Sequence, residues 1–303
     1  MSRDKSTTTE PTTKPTLASM FEMLNDLEDD TVITGLPPTT ASFVRTPRPG
    51  TPIADLTRLA KVWMLIGPGA SGKTVLARWL GGELHVHDKL DRTLLAALDP
   101  ANRTLADFFS AVMQPPTSNP AETVSWLQNL LESLTKHRGN AVLDFGGGDV
   151  SLAQLVAKMP TLAEAMEEQG IGLIAAYMLT PRVDDLASLV TFEQTGFRPR
   201  ATALILNLAK ADTPAAFDAI RRQPAYKAAM ARGAVELWMP ALSQGVSLRI
   251  ERARVQFREA REGLAPEGRK PASISLLERV EVREFLERMA AEFQPIEGWM
   301  PWA

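Results

Sequence analysis

The sequence predicts an α/β fold, a mostly parallel sheet with helices on both faces. Three observations carry that prediction. Short runs are apolar throughout, such as VWMLI at 62–66 and ALIL at 203–206, as expected of strands covered on both sides. They alternate with longer stretches of helical periodicity. The first run passes directly into a glycine-punctuated loop and an amphipathic restart, GPGASGKTVLARWL at 67–80.

The elements follow in chain order. Residues 1–16 are mostly Ser, Thr, Pro, Lys and acids, too polar to bury enough surface to offset ordering entropy, so a disordered N-terminal tail is expected. Inside it Leu17, Met20, Phe21, Leu24 and Leu27 recur at helical spacing and stop at Glu28, Asp29 and Asp30. That predicts a short amphipathic helix over 17–28, either a docking peptide for a protein partner or a piece packed on its own domain. Linker composition returns at 31–52, and the tail is taken as 1–56.

A core follows over 57–244. Strands are expected at Val62–Ile66, Thr93–Leu98, Ala141–Leu143, Ile171–Met178, Ala203–Leu208 and Val235–Met239. Helices are expected from Thr74 to Leu80, then over Leu105–Met113, Ala121–Lys136, Leu152–Glu168, Val183–Glu193 and Pro214–Ala231. Residues 245–303 read as a helical extension packing on the core. One stripe runs through Val246, Ile250, Phe257 and Leu264, a second through Leu276, Val280, Phe285 and Leu286, and Pro266 and Gly268 break between them. No internal repeat is visible.

Composition bounds the chemistry. The 303 residues are 45% hydrophobic and 23% charged, ordinary for a globular protein. Net charge is −3, so any nucleic-acid contact needs a local patch. The absence of cysteine excludes disulfides, thiolate metal sites and cysteine nucleophiles. The N-terminus has no apolar signal-peptide core, and no stretch reaches the roughly 18 apolar residues that span a bilayer. A cytoplasmic location is the expectation.

Gly67, Gly72, Lys73 and Thr74 satisfy G-x-x-x-x-G-K-[ST], with a strand before and a helix after. Each residue type has a job in phosphate binding. The loop Gly67, Pro68, Gly69, Ala70, Ser71, Gly72 and Lys73, running into Thr74 and Val75, would cradle the phosphates with its backbone amides, Pro68 alone having none to donate. Lys73 would reach the β- and γ-phosphates, and the Thr74 hydroxyl would ligate Mg²⁺. The helix adds its positive end to the anion site. In an open parallel sheet, ligands bind beyond the carboxyl ends of the strands. Two further strands end there in acids: Asp99 in LDPANRTL, and Asp144 in AVLDFGGGD, trailed by Gly146, Gly147 and Gly148. A carboxylate at such a tip holds Mg²⁺ directly or through water, and a close glycine lets a backbone amide approach the γ-phosphate. The plainer alternative is that both acids cap turns.

A phosphate loop, then ALDPAN, VLDFGGGD, LIAAYMLTP, ALILNLA and LWMPAL in that order resembles the ParA/MinD family over roughly residues 60–242. The family includes plasmid-partition proteins, division-site positioners and ATPases of conjugal transfer operons. The resemblance implies ATP and Mg²⁺ as ligands. It implies that Asp99 positions the attacking water and that Asp144 with Gly147 forms the D-x-x-G switch sensing the γ-phosphate. It implies that Asn207 reads adenine while Met239 and Pro240 lie along the base. Lys73, Asp99 and Asp144 are thus the expected catalytic residues, with Thr74 and Asp144 on the metal.

The family's distinguishing lysine, which reaches the partner subunit's nucleotide when two monomers sandwich ATP, is absent. Its slot holds Pro68, with no charge and no amide hydrogen. Three consequences are open: a nucleotide-dependent homodimer that recruits another cation, a slow monomer, or a sensor that barely hydrolyses. Arg103 and Arg78 are substitutes by position. A cation at the transition state is worth on the order of 10³-fold, so weak intrinsic hydrolysis is expected.

Lesser signals stay open. His85 and His87 beside Asp88 read as weak metal ligands or a polar loop. The stretch 249–270 holds seven basic residues (Arg249, Arg252, Arg254, Arg258, Arg261, Arg269, Lys270) against four acids. Arg249, Arg254, Arg258 and Arg261 are either a nonspecific DNA grip or a solvated face laced with ion pairs. Trp299 and Trp302 would anchor on a partner, a membrane interface or the chain's own surface. The leading function is an ATP-dependent switch in DNA segregation or transfer. The alternatives are a phosphotransferase, for which residues 100–140 offer no convincing arginine lid, and a nucleotide-binding adaptor with little turnover.

Overall fold

The computed structural model describes residues 53–99, 104–211, 213–264 and 274–303. The expected tail helix over 17–28 and Arg103, Arg269 and Lys270 lie outside them. Among the described residues seven strands form one sheet: β1 (Ala60–Ile66), β2 (Thr93–Leu98), β3 (Val112–Met113), β4 (Asn140–Phe145), β5 (Ile171–Leu179), β6 (Ala201–Asn207) and β7 (Val235–Met239). Their order is β3-β2-β4-β1-β5-β6-β7, and every pairing is parallel. β1 is therefore central, between β4 and β5. Its register sets Leu65 beside Asp144 and Ile66 beside Tyr177.

Alternate residues of each strand face opposite layers. Val62, Met64 and Ile66 belong to one apolar cluster, Trp63 and Leu65 to the other. The first layer contains α2 (Pro120–His137), α3 (Ser151–Lys158), α4 (Leu162–Glu168), α5 (Ala187–Thr195), α6 (Asp218–Arg221) and α7 (Pro224–Ala231). The second contains α1 (Lys73–Val86) together with α8 (Gln244–Ala253), α9 (Phe257–Glu262) and α10 (Leu276–Phe293). The C-terminal helices thus complete the second layer: Ile250, Phe257, Phe285 and Met289 bury themselves with Trp63, Leu76 and Leu80.

Local chemistry sets the helix ends. Pro120 opens α2, the Asn119 carboxamide accepts from the Ala121 amide (3.0 Å), and Arg138 closes the helix at φ 49°. Ser275 and Glu278 form a reciprocal capping box on α10. α8 ends at Arg254, held left-handed at φ 52°.

Several expected elements are corrected. Leu105–Met113 is no helix: the amides of Phe108 and Phe109 bond back to the Leu105 carbonyl (3.0 and 3.3 Å) in a turn, and Val112–Met113 joins β2 as a short edge strand. Leu105 and Phe109 are buried, so the compact turn satisfies the apolar spacing, and pairing of Val112 and Met113 with β2 draws the chain into extended form. The span 152–168 divides into α3 and α4 at Pro160, and 214–231 divides before Pro224. Residues 183–186 form a 3-10 turn leading into α5. In the extension, Leu264 and Leu276 are exposed, while Val282 takes the buried place.

The last residues fold back beneath the start of the sheet. Trp299 is 1% exposed; its indole donates to the Ala54 carbonyl (2.7 Å) and its own carbonyl accepts from the Trp63 indole (2.8 Å). Asn140 donates to the Pro301 carbonyl and Lys61 to the Ala303 carbonyl, each at 2.8 Å. Trp302 stacks on His87 at 5.2 Å. Both tryptophans anchor on the chain's own surface. Among the described residues, no helix is long and apolar enough to cross a membrane.

Candidate functional site

The loop between β1 and α1 turns sharply enough to need unusual backbone. Gly72 has φ 103° and Ala70 φ 58°. A β-carbon on Gly72 would meet the Asn207 and Met239 side chains at 2.6 Å each, so glycine is required twice over. Lys73 donates from Nζ to the carbonyls of Gly67 (2.8 Å) and Pro68 (2.7 Å). Its ammonium therefore lies across the mouth of the loop. Burial lowers the Lys73 pKa, and Asp144, Asp99 and Asp185 oppose that shift.

Thr74, the second residue of α1, donates its hydroxyl to Oδ2 of Asp144 at 2.7 Å. β4 delivers that carboxylate because it lies directly beside β1. The other oxygen, Oδ1, is buried without a hydrogen-bond partner. Burial pushes the Asp144 pKa up to about 6, against the Thr74 hydrogen bond and the Lys73 charge that pull it down. A buried, half-satisfied carboxylate facing a threonine hydroxyl is a donor set that suits a hard divalent cation. Among the described residues no cluster of three or more His, Asp or Glu forms a separate metal centre. His85 and His87 are exposed at the far end of α1.

Beyond β4 the chain presses on the loop: a β-carbon on Gly147 would lie 2.4 Å from the Gly69 amide nitrogen. Asp99 stands at the tip of β2 against Gly146, where an added β-carbon would come within 3.0 Å of the Asp99 side chain. Burial also raises the Asp149 pKa, with Asp99 adding to the rise. Asp99, Asp144, Gly147, Lys73 and Thr74 thus line one cavity of about 520 Å³, within the usual range for small-ligand sites.

Asn207 and Pro240 line the same cavity on its β6–β7 side. The Asn207 carboxamide is buried; it donates to the Ser71 carbonyl (2.7 Å) and accepts from the Ala209 amide (2.9 Å). It braces the phosphate loop from below and closes the turn after β6. Arg78, a substitute by position for the missing lysine, is buried and held in place. It is 3% exposed, with its guanidinium between the rings of Phe108 (3.5 Å) and Phe257 (4.5 Å) and one nitrogen donating to the Val255 carbonyl (3.1 Å).

Each expected DNA-gripping arginine stands by an acid: Arg249 by Glu278 (3.0 Å), Arg254 by Asp107 (3.4 Å), and Arg258 and Arg261 both by Glu262 (3.4 and 2.7 Å). Sequence reasoning missed Lys210, Ser247 and Glu251, which also line the cavity. Lys210, three residues past Asn207, had a visible local signal; the two α8 residues had none.

The parallel sheet, the loop after β1 and the acid at the tip of β4 define a P-loop NTPase fold. No family model and no curated protein matches the chain. Among solved structures the chain is similar to FlhF complexed with GTP and Mg²⁺, at 14% identity over 63% of this chain and 72% of that one, TM-score 0.37. It is similar also to FlhF complexed with GMPPNP and Mg²⁺, at 13% identity over 77% and 79%, TM-score 0.36. Likeness at that level carries no functional argument.

Proposed function

We propose that this chain binds a nucleoside triphosphate with Mg²⁺ at residues 67–75 and acts as a slow, nucleotide-dependent switch. The observation that carries it is the Thr74–Asp144 contact, 2.7 Å across the site, with the second Asp144 oxygen left over. In this reading Thr74 and Asp144 hold Mg²⁺, whose bound charge would neutralise the phosphates. Lys73 leaves the Gly67 and Pro68 carbonyls for the β- and γ-phosphates. Gly147 offers its amide beside the loop, and Asp99 orients the attacking water. Asn207 holds the loop's shape, and Pro240 borders the nucleoside.

Slow turnover follows from Pro68 in place of a lysine and from Arg78 being held between two rings. ATP is the expected nucleotide and DNA segregation or transfer of ParA/MinD type the expected setting, on the resemblance alone. Calorimetry with ATP and GTP, each with Mg²⁺, tests the core of the proposal, and Lys73→Ala is the control. Absence of heat with both nucleotides, or unchanged binding by the variant, sinks it. Turnover measured with and without duplex DNA at two salt concentrations tests the setting.

A further inference from the structure

The acids and Gly147 occupy the β2–β4 side of the cavity, where the terminal phosphate and cation belong in the proposed reading. The opposite side differs in chemistry. Met239, Pro240 and Leu242 make an apolar wall there, and α8 presents Ser247 and Glu251 to the same cavity. These two are four residues apart, so they share one helix face. Beneath them lies buried Arg78, whose Nε has no hydrogen-bond partner, and whose charge Glu251 favours.

We infer that Glu251, with Ser247 one turn earlier, accepts the ribose hydroxyls of the bound nucleotide, while its base lies against Met239 and Leu242. The inference rests on the nucleotide reading above and deepens it: α8 becomes a specificity element for ribonucleotides. A carboxylate is the chemistry that recognises paired ribose hydroxyls. Hydrogen bonds to a charged acceptor are strong enough to discriminate a ligand that lacks one donor. Triphosphate binding alone does not involve α8, because the phosphate loop and strand tips supply every group it needs.

Affinities of Glu251→Ala and Ser247→Ala for ATP, GTP, their 2′-deoxy forms and inorganic tripolyphosphate, each with Mg²⁺, test this. Glu251 lies on an exposed helix face, so folding is expected to survive its loss. The wild type should prefer ribo- over 2′-deoxynucleotide. Glu251→Ala should lose about tenfold or more for the ribonucleotide, erase that preference, and leave tripolyphosphate unchanged. Unchanged ribonucleotide affinity, a preserved ribose preference, or an equal loss for tripolyphosphate overturns the inference while the nucleotide reading stands. A wild type that binds neither nucleotide nor tripolyphosphate overturns both.

Discussion

Gly147 backs onto Gly69 so closely that a β-carbon there would lie 2.4 Å from both its amide nitrogen and its α-carbon. The segment after β4 is therefore packed directly on the phosphate loop. Gly147→Ala has to push them apart, and overpacking of this kind costs about 1–3 kcal/mol. We expect lower thermal stability and at least tenfold weaker Mg²⁺-nucleotide binding. Gly148→Ala, whose β-carbon would meet open space, should match the wild type in melting temperature and affinity.

Asp144 makes stability depend on pH. Burial lifts its folded pKa to about 6, above the ordinary carboxylate range, so the folded state holds the proton more tightly. That stabilising contribution is complete below about pH 4 and is lost as pH rises through about 6. Asp144→Asn should therefore stabilise the nucleotide-free protein by at most about 3 kcal/mol at pH 8 and by little at pH 4. It should also abolish the Mg²⁺ dependence of nucleotide binding. Melting curves at the two pH values check the first part; a flat difference between them contradicts the assignment.

Asn207 offers a sharper test of base recognition. Because its carboxamide bonds the Ser71 carbonyl and the Ala209 amide, Asn207→Ala leaves buried polar groups unsatisfied, at about 1–3 kcal/mol each. Affinity should fall by similar factors for ATP, GTP and tripolyphosphate. A loss confined to ATP would instead support the adenine-reading role.

Trp299→Ala removes a buried indole together with its hydrogen bond to Ala54. We expect a loss of about 3–5 kcal/mol in chemical denaturation. Binding to lipid vesicles should not change, since the ring is already covered.

Much of the site was legible because its signals are local. The apolar run 62–66, the loop 67–74 and Asp144 within AVLDFGGGD each carry their meaning within a few residues, and strand adjacency did the rest. What escaped was long-range. Arg78 reads as a substitute cation by position until Phe108 and Phe257 close on it from two distant segments. Asn207 was placed by its strand end, but nothing nearby in the chain says that its partner is Ser71. The helix expected over Leu105–Met113 failed because a compact turn buries the same two apolar residues. Ser247 and Glu251 sit in a helix whose neighbours along the chain give no sign of a cavity.

Trp63 finds its hydrogen-bond acceptor at Trp299, 236 residues later in the chain. On a ribosome adding about 5–20 residues per second, β1 and α1 emerge roughly 12–47 seconds before the partner that covers them. During that interval the Trp63 indole lacks its hydrogen-bond acceptor and this layer lacks its C-terminal cover. Slowing synthesis between residues 80 and 276 should therefore raise the aggregated fraction of nascent chains, and supplying a holdase should lower it.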